Sequence, residues 1–155
     1  MGHHVLAPGW TSYDHQLRIE TFDVTALVRP GANALGAWLA EGWYCGRLGW
    51  NGGQRVYGHR LALLAQLELN LADGTTQVVG TGADGTWRAH AAPILASGIY
   101  DGETYDARLE QPGWSSPGFD DDHWRPVHAV ERDLGTLVAR TGPPVRRIKE
   151  RGPSP

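Results

Sequence analysis

Eighteen residues carry most of the candidate chemistry: "SGIYDGETYDARLEQPGW", residues 97–114, holds Asp101, Glu103 and Asp106 among two tyrosines and a tryptophan. Paired carboxylates are what a glycosidase needs, about 5–5.5 Å apart for retention of configuration and about 6.5–9.5 Å for inversion. On an extended segment Asp101 and Glu103 share a face at roughly 7 Å, which fits an inverting pair. Any Asp-x-Glu in a loop meets that test. The competing reading is that Glu103 and Asp106 accept backbone N–H groups or pair with Arg108, so that the carboxylates anchor a loop.

Other candidates are aromatic or metal-binding. Trp43, Tyr44, Trp50 and Tyr100 can stack on the C–H face of a sugar, and Asn51 adds hydroxyl recognition; the alternative is burial, with one or two of the four rings exposed. Asp14, in "GWTSYDHQ", is a possible calcium ligand, although calcium takes six to eight oxygens and His15 beside it is a poor one. "FDDDHW" (119–124) lacks the spacing of a calcium loop and reads as a turn cap anchored by Phe119 and Trp124. The histidines at 3, 4, 15, 59, 90, 123 and 128 show no zinc spacing. Cys45 has no Cys-x-x-Cys partner and reads as a small buried thiol.

The elements that must position these groups are strands. The chain has 155 residues, enough for one domain, with 41% hydrophobic and 20% charged residues. Gly 21, Pro 10 and Trp 7 point to many turns between short apolar runs, hence an all-β domain with helix confined to short turns. Leu17 and Ile19 alternate with Arg18 and Glu20 as a half-buried strand. A Pro30-Gly31 turn leads to a strand over 34–39. In "LALLAQLELNL" (61–71) alternate leucines share a face against Gln66, Glu68 and Asn70. The Asp73-Gly74 turn and "TQVVG" complete a hairpin. Residues 41–60, with six glycines, and 91–118 read as two long loops. "RTGPPVRRIKERGPSP" reads as a Pro-rich exit, giving a domain over 1–140 and a linker over 141–155.

Net charge is −3 with Lys and Arg scattered outside "VRRIKER" (145–151), which argues against nucleic acid as partner. No stretch approaches the ~20 apolar residues of a membrane span, and the first residues do not form a signal peptide. One cysteine excludes an internal disulfide. A reducing compartment such as the cytoplasm fits, and a secreted disulfide-free chain fits nearly as well.

"VLAPGWTSYD", "TFDVTALVRPGANALGAWLAEGWYCGRLGW", "YGHRLALLAQLEL" and "IYDGETYDARLEQPGW" together resemble the N-terminal accessory domain of bacterial α-L-rhamnosidases, glycoside hydrolase family 78. The similarity runs from about Val5 to Arg147, with the motifs in the family's order. The resemblance implies a jelly-roll-type antiparallel β-sandwich ahead of a separate catalytic (α/α)₆ barrel. It also implies a role without catalysis for this segment, either binding L-rhamnose-containing glycans or supporting the barrel. In some members the sandwich binds L-rhamnose through calcium, with a carboxylate followed by an amide near the position of Asp14; here His15 follows. The family's upstream strand or strands do not precede "VLAPGW", so the segment is expected to leave a sheet edge exposed.

Overall fold

The structure, a computed structural model, describes residues 4–82 and 86–149. His3 and residues 150–155 of the Pro-rich exit lie outside the described residues. The chain divides into two units, one combining the described segments up to Gly31 and from Asp133 onward, the other Ala32–Arg132. Both are all-β, as expected, with helix confined to short turns.

The first unit is built on β1 (Leu17–Ile19), which pairs in parallel with β8 (Leu137–Ala139), Leu17 opposite Leu137. His4 bridges to Arg146, and the Val5 N–H donates to the Val145 carbonyl at 3.0 Å. Part of the stretch expected as an exit is therefore paired. Alternation over 17–20 is weaker than the sequence pattern predicts: Ile19 is exposed while Leu17 and Arg18 are half-buried. The reason is the partner strand, which covers an edge and not a face. Glu20 ties the unit together. Its carboxylate accepts from Arg140 Nε at 2.6 Å and lies 3.0 Å from His4 Nδ1, while Arg140 Nη2 also donates to the Pro8 carbonyl. Burial pushes the Glu20 carboxyl up, but the hydrogen bonds and charges of Arg140 and His4 bring it below its ordinary value.

The second unit holds three antiparallel ladders, two of them hairpins. β2 (Gln66–Asn70) pairs with β3 (Thr76–Gly80), from Gln66 opposite Gly80 to Asn70 opposite Thr76. Gln66, Glu68 and Asn70 face water and Leu67 and Leu69 are half-buried, as their alternation predicts. The turn closes where expected: Asp73 Oδ1 accepts from the Thr75 N–H and hydroxyl, and Gly74 takes φ +85. The ladder is shorter than the leucine run. Residues 61–65 lie outside it because β3 ends at Gly80; only Thr81 continues the pairing, its N–H donating to the Ala65 carbonyl.

β4 (Arg88–Ala89) pairs with β7 (Arg125–Pro126), and the "FDDDHW" segment forms the turn that precedes β7. Asp120 Oδ1 caps the Asp122 N–H, and Phe119 packs edge-on against Trp124 at 5.7 Å. Residues 91–118, expected as a long loop, contain instead a hairpin of β5 (Ile94–Gly98) and β6 (Gly102–Tyr105) with a bulge between Ile94 and Ala96. The expected strand over 34–39 is absent. Stacking contacts that segment instead, with Trp38 on Trp114 at 5.8 Å and 18°. The four-residue helix α1 (Gly42–Cys45) places Cys45 in the interior. Buried apolar side chains are scarce among the described residues, led by Tyr13 and Cys45. Among those residues no helix is long and apolar enough to cross a membrane.

Gly36 makes the tryptophan stack possible, since a Cβ there would lie 2.5 Å from Trp114 Cζ3. Gly36→Ala is expected to destabilise the protein by about 1–3 kcal/mol, read as a lower thermal midpoint. Gly82→Ala, where a Cβ meets open space, is the control and should change stability by less than about 0.5 kcal/mol.

Candidate functional site

The aromatic loop and the carboxylate stretch meet in the second unit, and Arg47 joins them. The loop leaves α1 through Gly46 and folds into a small hairpin. Arg47 bridges to Gln54, the Leu48 N–H donates to the Gly53 carbonyl at 3.3 Å, and Gly49 takes φ +73. Trp50 stands at its tip, 89% exposed, with Asn51 exposed beside it. Opposite lies the β5–β6 turn, where Tyr100 and Asp101 precede Gly102 at φ +78.

Arg47 grips both sides. Its Nη2 and Nε donate to Asp101 Oδ1 at 2.7 and 3.0 Å, with a longer contact from Nε to Oδ2 at 3.3 Å. Nη1 donates to the carbonyls of Gly49 and Trp50, both at 3.3 Å. The guanidinium carbon sits 5.3 Å from the centre of the Tyr100 ring. Tyr100 in turn meets Trp50 edge-on, with centroids 6.3 Å apart at 64°. The product is an open corner: a Trp50 face in water, a Tyr100 ring across from it, and a carboxylate and an amide at the margin. Trp43 and Tyr44 are half-buried instead, Tyr44 lying against Gly58.

The same contacts bear on the carboxylate pair. Hydrogen bonding to Arg47 holds the Asp101 carboxyl below the usual aspartate range, the wrong direction for a general acid. Oδ1 is already engaged by both Nε and Nη2 of Arg47. Asp106 is an anchor: it accepts from the Arg108 backbone at 3.1 Å and from Arg108 Nε and Nη2 at 2.8 and 2.6 Å, opening a 3₁₀ turn over Ala107–Leu109. Glu103 lies on β6 opposite Ser97, and Arg108 pairs with Asp106. Asp14 belongs to the first unit, on an exposed turn where the His15 and Gln16 N–H groups donate to the Ser12 carbonyl. Among the described residues no three His, Cys, Asp or Glu side chains gather to hold a metal. A calcium ion at Asp14 would draw its remaining oxygens from carbonyls or a bound sugar.

Sequence reasoning missed Arg47. The signal was present in "CGRLGWNGG": a tight Gly-Trp-Asn-Gly-Gly turn needs something to fix it, and a cation just before it can reach a carboxylate.

The second unit is all-β and sets the exposed Trp50 and Tyr100 rings beside a carboxylate and an amide. The chain belongs to the alpha-L-rhamnosidase N-terminal domain family, whose sequence model matches residues 1–149. It is 50% identical over 151 residues to an alpha-L-rhamnosidase of Streptomyces avermitilis, covering 97% of this chain and 14% of that protein. An alpha-L-rhamnosidase of Formosa agariphila is 42% identical over 126 residues, covering 81% of this chain and 13% of the relative. The crystal structure of the Streptomyces avermitilis alpha-L-rhamnosidase complexed with L-rhamnose superposes with a TM-score of 0.85 at 49% identity, over 92% of this chain and 14% of that one. The chain thus spans about a seventh of the length of the relatives it matches.

Because pairing depresses Asp101, the clamp is complete at and above the ordinary aspartate value, about 3.9, and is lost only as pH falls through the lower folded value. The Trp50 indole resonance should therefore stay constant from neutral pH to about pH 4 and shift only below it. In Arg47→Gln it should be displaced and broadened already at neutral pH.

Proposed function

We propose that this chain is a non-catalytic, carbohydrate-associated domain of an α-L-rhamnosidase-like glycoside hydrolase, and that it binds L-rhamnosides weakly through the Trp50–Tyr100 corner. The observation that carries the reading is Trp50: a ring 89% exposed at the tip of a hairpin that Arg47 holds rigid. A mobile side chain would lose rotamer freedom on stacking against a sugar; a fixed one has lost it already. The pyranose C–H face lies on Trp50, with Asn51 and the outward lone pairs of Asp101 placed for hydroxyls. One such stack supports affinities of about millimolar, near −4 kcal/mol.

Asp101 and Glu103 do not act as a glycosidase pair in this reading, because Asp101 is committed to Arg47. The domain is a jelly-roll-type β-sandwich over 1–140. The Pro-rich stretch from 141, beyond its pairing at 145–146, leads toward an (α/α)₆ catalytic barrel that acts on rhamnose-containing glycans. Exposed apolar side chains such as Leu64, Leu95 and Val130 suit a domain that packs against such a neighbour.

Calorimetry with L-rhamnose tests the binding claim. Heat corresponding to about millimolar affinity is expected, lost in Trp50→Ala and unchanged by chelator or by Asp14→Ala. No heat at saturating sugar, or loss on chelation, overturns the aromatic site. An aryl α-L-rhamnoside should not be turned over, and turnover abolished by Glu103→Gln would overturn the non-catalytic reading.

A further inference from the structure

One edge of the second unit lacks the devices that keep sheet edges apart. β3 has β2 on one side and, among the described residues, no strand on the other. The bonds flanking the ladder set its phase: the Leu71 N–H donates to the Thr75 carbonyl at 2.8 Å, and the Thr81 N–H to the Ala65 carbonyl at 2.9 Å. Gln77 and Val79 therefore turn their main-chain groups toward β2, while Thr76, Val78 and Gly80 turn theirs outward. The Gly80 carbonyl accepts from Trp87 Nε1 at 2.9 Å, so an indole closes that end. Thr76 and Val78 are the open rungs, and Val78 is 55% exposed.

Sheet edges are usually blunted by charge, proline or a bulge. Of the longer described strands, β2 carries Glu68, β6 carries Glu103, and β5 has its bulge between Ile94 and Ala96. β3 reads Thr-Gln-Val-Val-Gly in regular register, with none of these. It also matches itself. In an antiparallel pairing centred on Gln77, Thr76 of one copy faces Val78 of the other, and each such pair exchanges both N–H···O bonds. Gln77 then meets Gln77, whose amide both donates and accepts. Rows across the joined sheet run Glu68, Val78, Thr76, Asn70, so no like charges face each other. Centring on Val78 instead would drive Thr76 against Gly80, where the Trp87 indole stands.

We propose that this edge pairs with the same edge of a second copy of the chain, antiparallel, about a two-fold axis at Gln77. The same patch serves both copies, so the contact closes at a dimer and uses up the open edge of β3 in forming it. A single short strand pair, with Val78 packed beside Thr76, lies at the small end of protein interfaces, which makes the dimer weak and concentration-dependent. The edge is separate from the Trp50 corner, so its test stands whether or not that corner binds sugar.

The test is sedimentation velocity of the 155-residue chain at increasing concentration. Between about 10 and 500 µM a monomer–dimer equilibrium is expected, with a dissociation constant of about 100 µM. Gln77→Glu sets two carboxylates against each other and should weaken the dimer severalfold, as should Gln77→Lys with two ammonium groups. An equimolar mixture of the two variants should restore association, which a merely unfolded variant cannot do. Val78→Pro removes an N–H that β2 does not use and should leave monomer at every concentration, while Trp50→Ala leaves the dimer intact. Monomer throughout the range overturns the proposal and leaves the edge to some other strand. A dimer indifferent to Gln77→Glu and Val78→Pro, a mixture that fails to restore association, or growth beyond the dimer overturns it equally.

Discussion

Scarcity of burial is the constraint on which this structure depends. Tyr13 and Cys45 are the buried core residues among those described, and side chains as large as Trp38 and Leu95 stand more than half exposed. Apolar burial normally offsets the entropy of ordering the backbone. With little of it, order here is written into short-range polar contacts. Aspartate caps recur at the turns: Asp23, Asp73, Asp106, Asp120 and Asp133 each accept an N–H two residues ahead. Such contacts fix turns without a core, and they leave apolar surface for something else to cover.

Where longer segments must be tied together, arginine does it. Arg140 draws Glu20 and Pro8 onto one guanidinium, and Arg47 draws Asp101, Gly49 and Trp50 onto another. The two settings differ. Glu20 and Arg140 are largely shielded, so their pairing is weakly screened by salt; Asp101 is about half exposed, so its pairing has chiefly a positional effect. The carboxylates at 101–106 therefore answer to different demands. One fixes an aromatic tip, one caps a 3₁₀ turn, and Glu103 projects from a strand.

How much was legible follows from the range of the interactions. The β2–β3 hairpin was readable because its alternation and its Asp73-Gly74 turn are local. The caps at Asp106 and in "FDDDHW" were readable for the same reason. The strand expected over 34–39 was not formed, because a strand needs a partner and an apolar run cannot say whether one exists; Trp114, far along the chain, takes that role through stacking. The β5–β6 hairpin was hidden by its irregular register, although Asp101-Gly102 closes its turn. In the candidate site the aromatic residues were visible from their density between glycines. Arg47 was not, since its meaning lies in Asp101, 54 positions away. The Glu20–Arg140 pair was equally invisible, its partners lying 120 positions apart.

The division into two units has a consequence for how the chain reaches this state. The first unit is discontinuous, and its central ladder joins Leu17 to Leu137, a separation of 120 positions by subtraction. Closing a flexible loop of that size costs about 4 kcal/mol beyond the constant for a short one. The intervening Ala32–Arg132 segment leaves the ribosome before β8 does, and its hairpins are of low sequence separation. Folding it first shortens the effective tether between β1 and β8. Synthesis order and entropy then favour the same sequence of events: the inserted unit first, the frame that flanks it last.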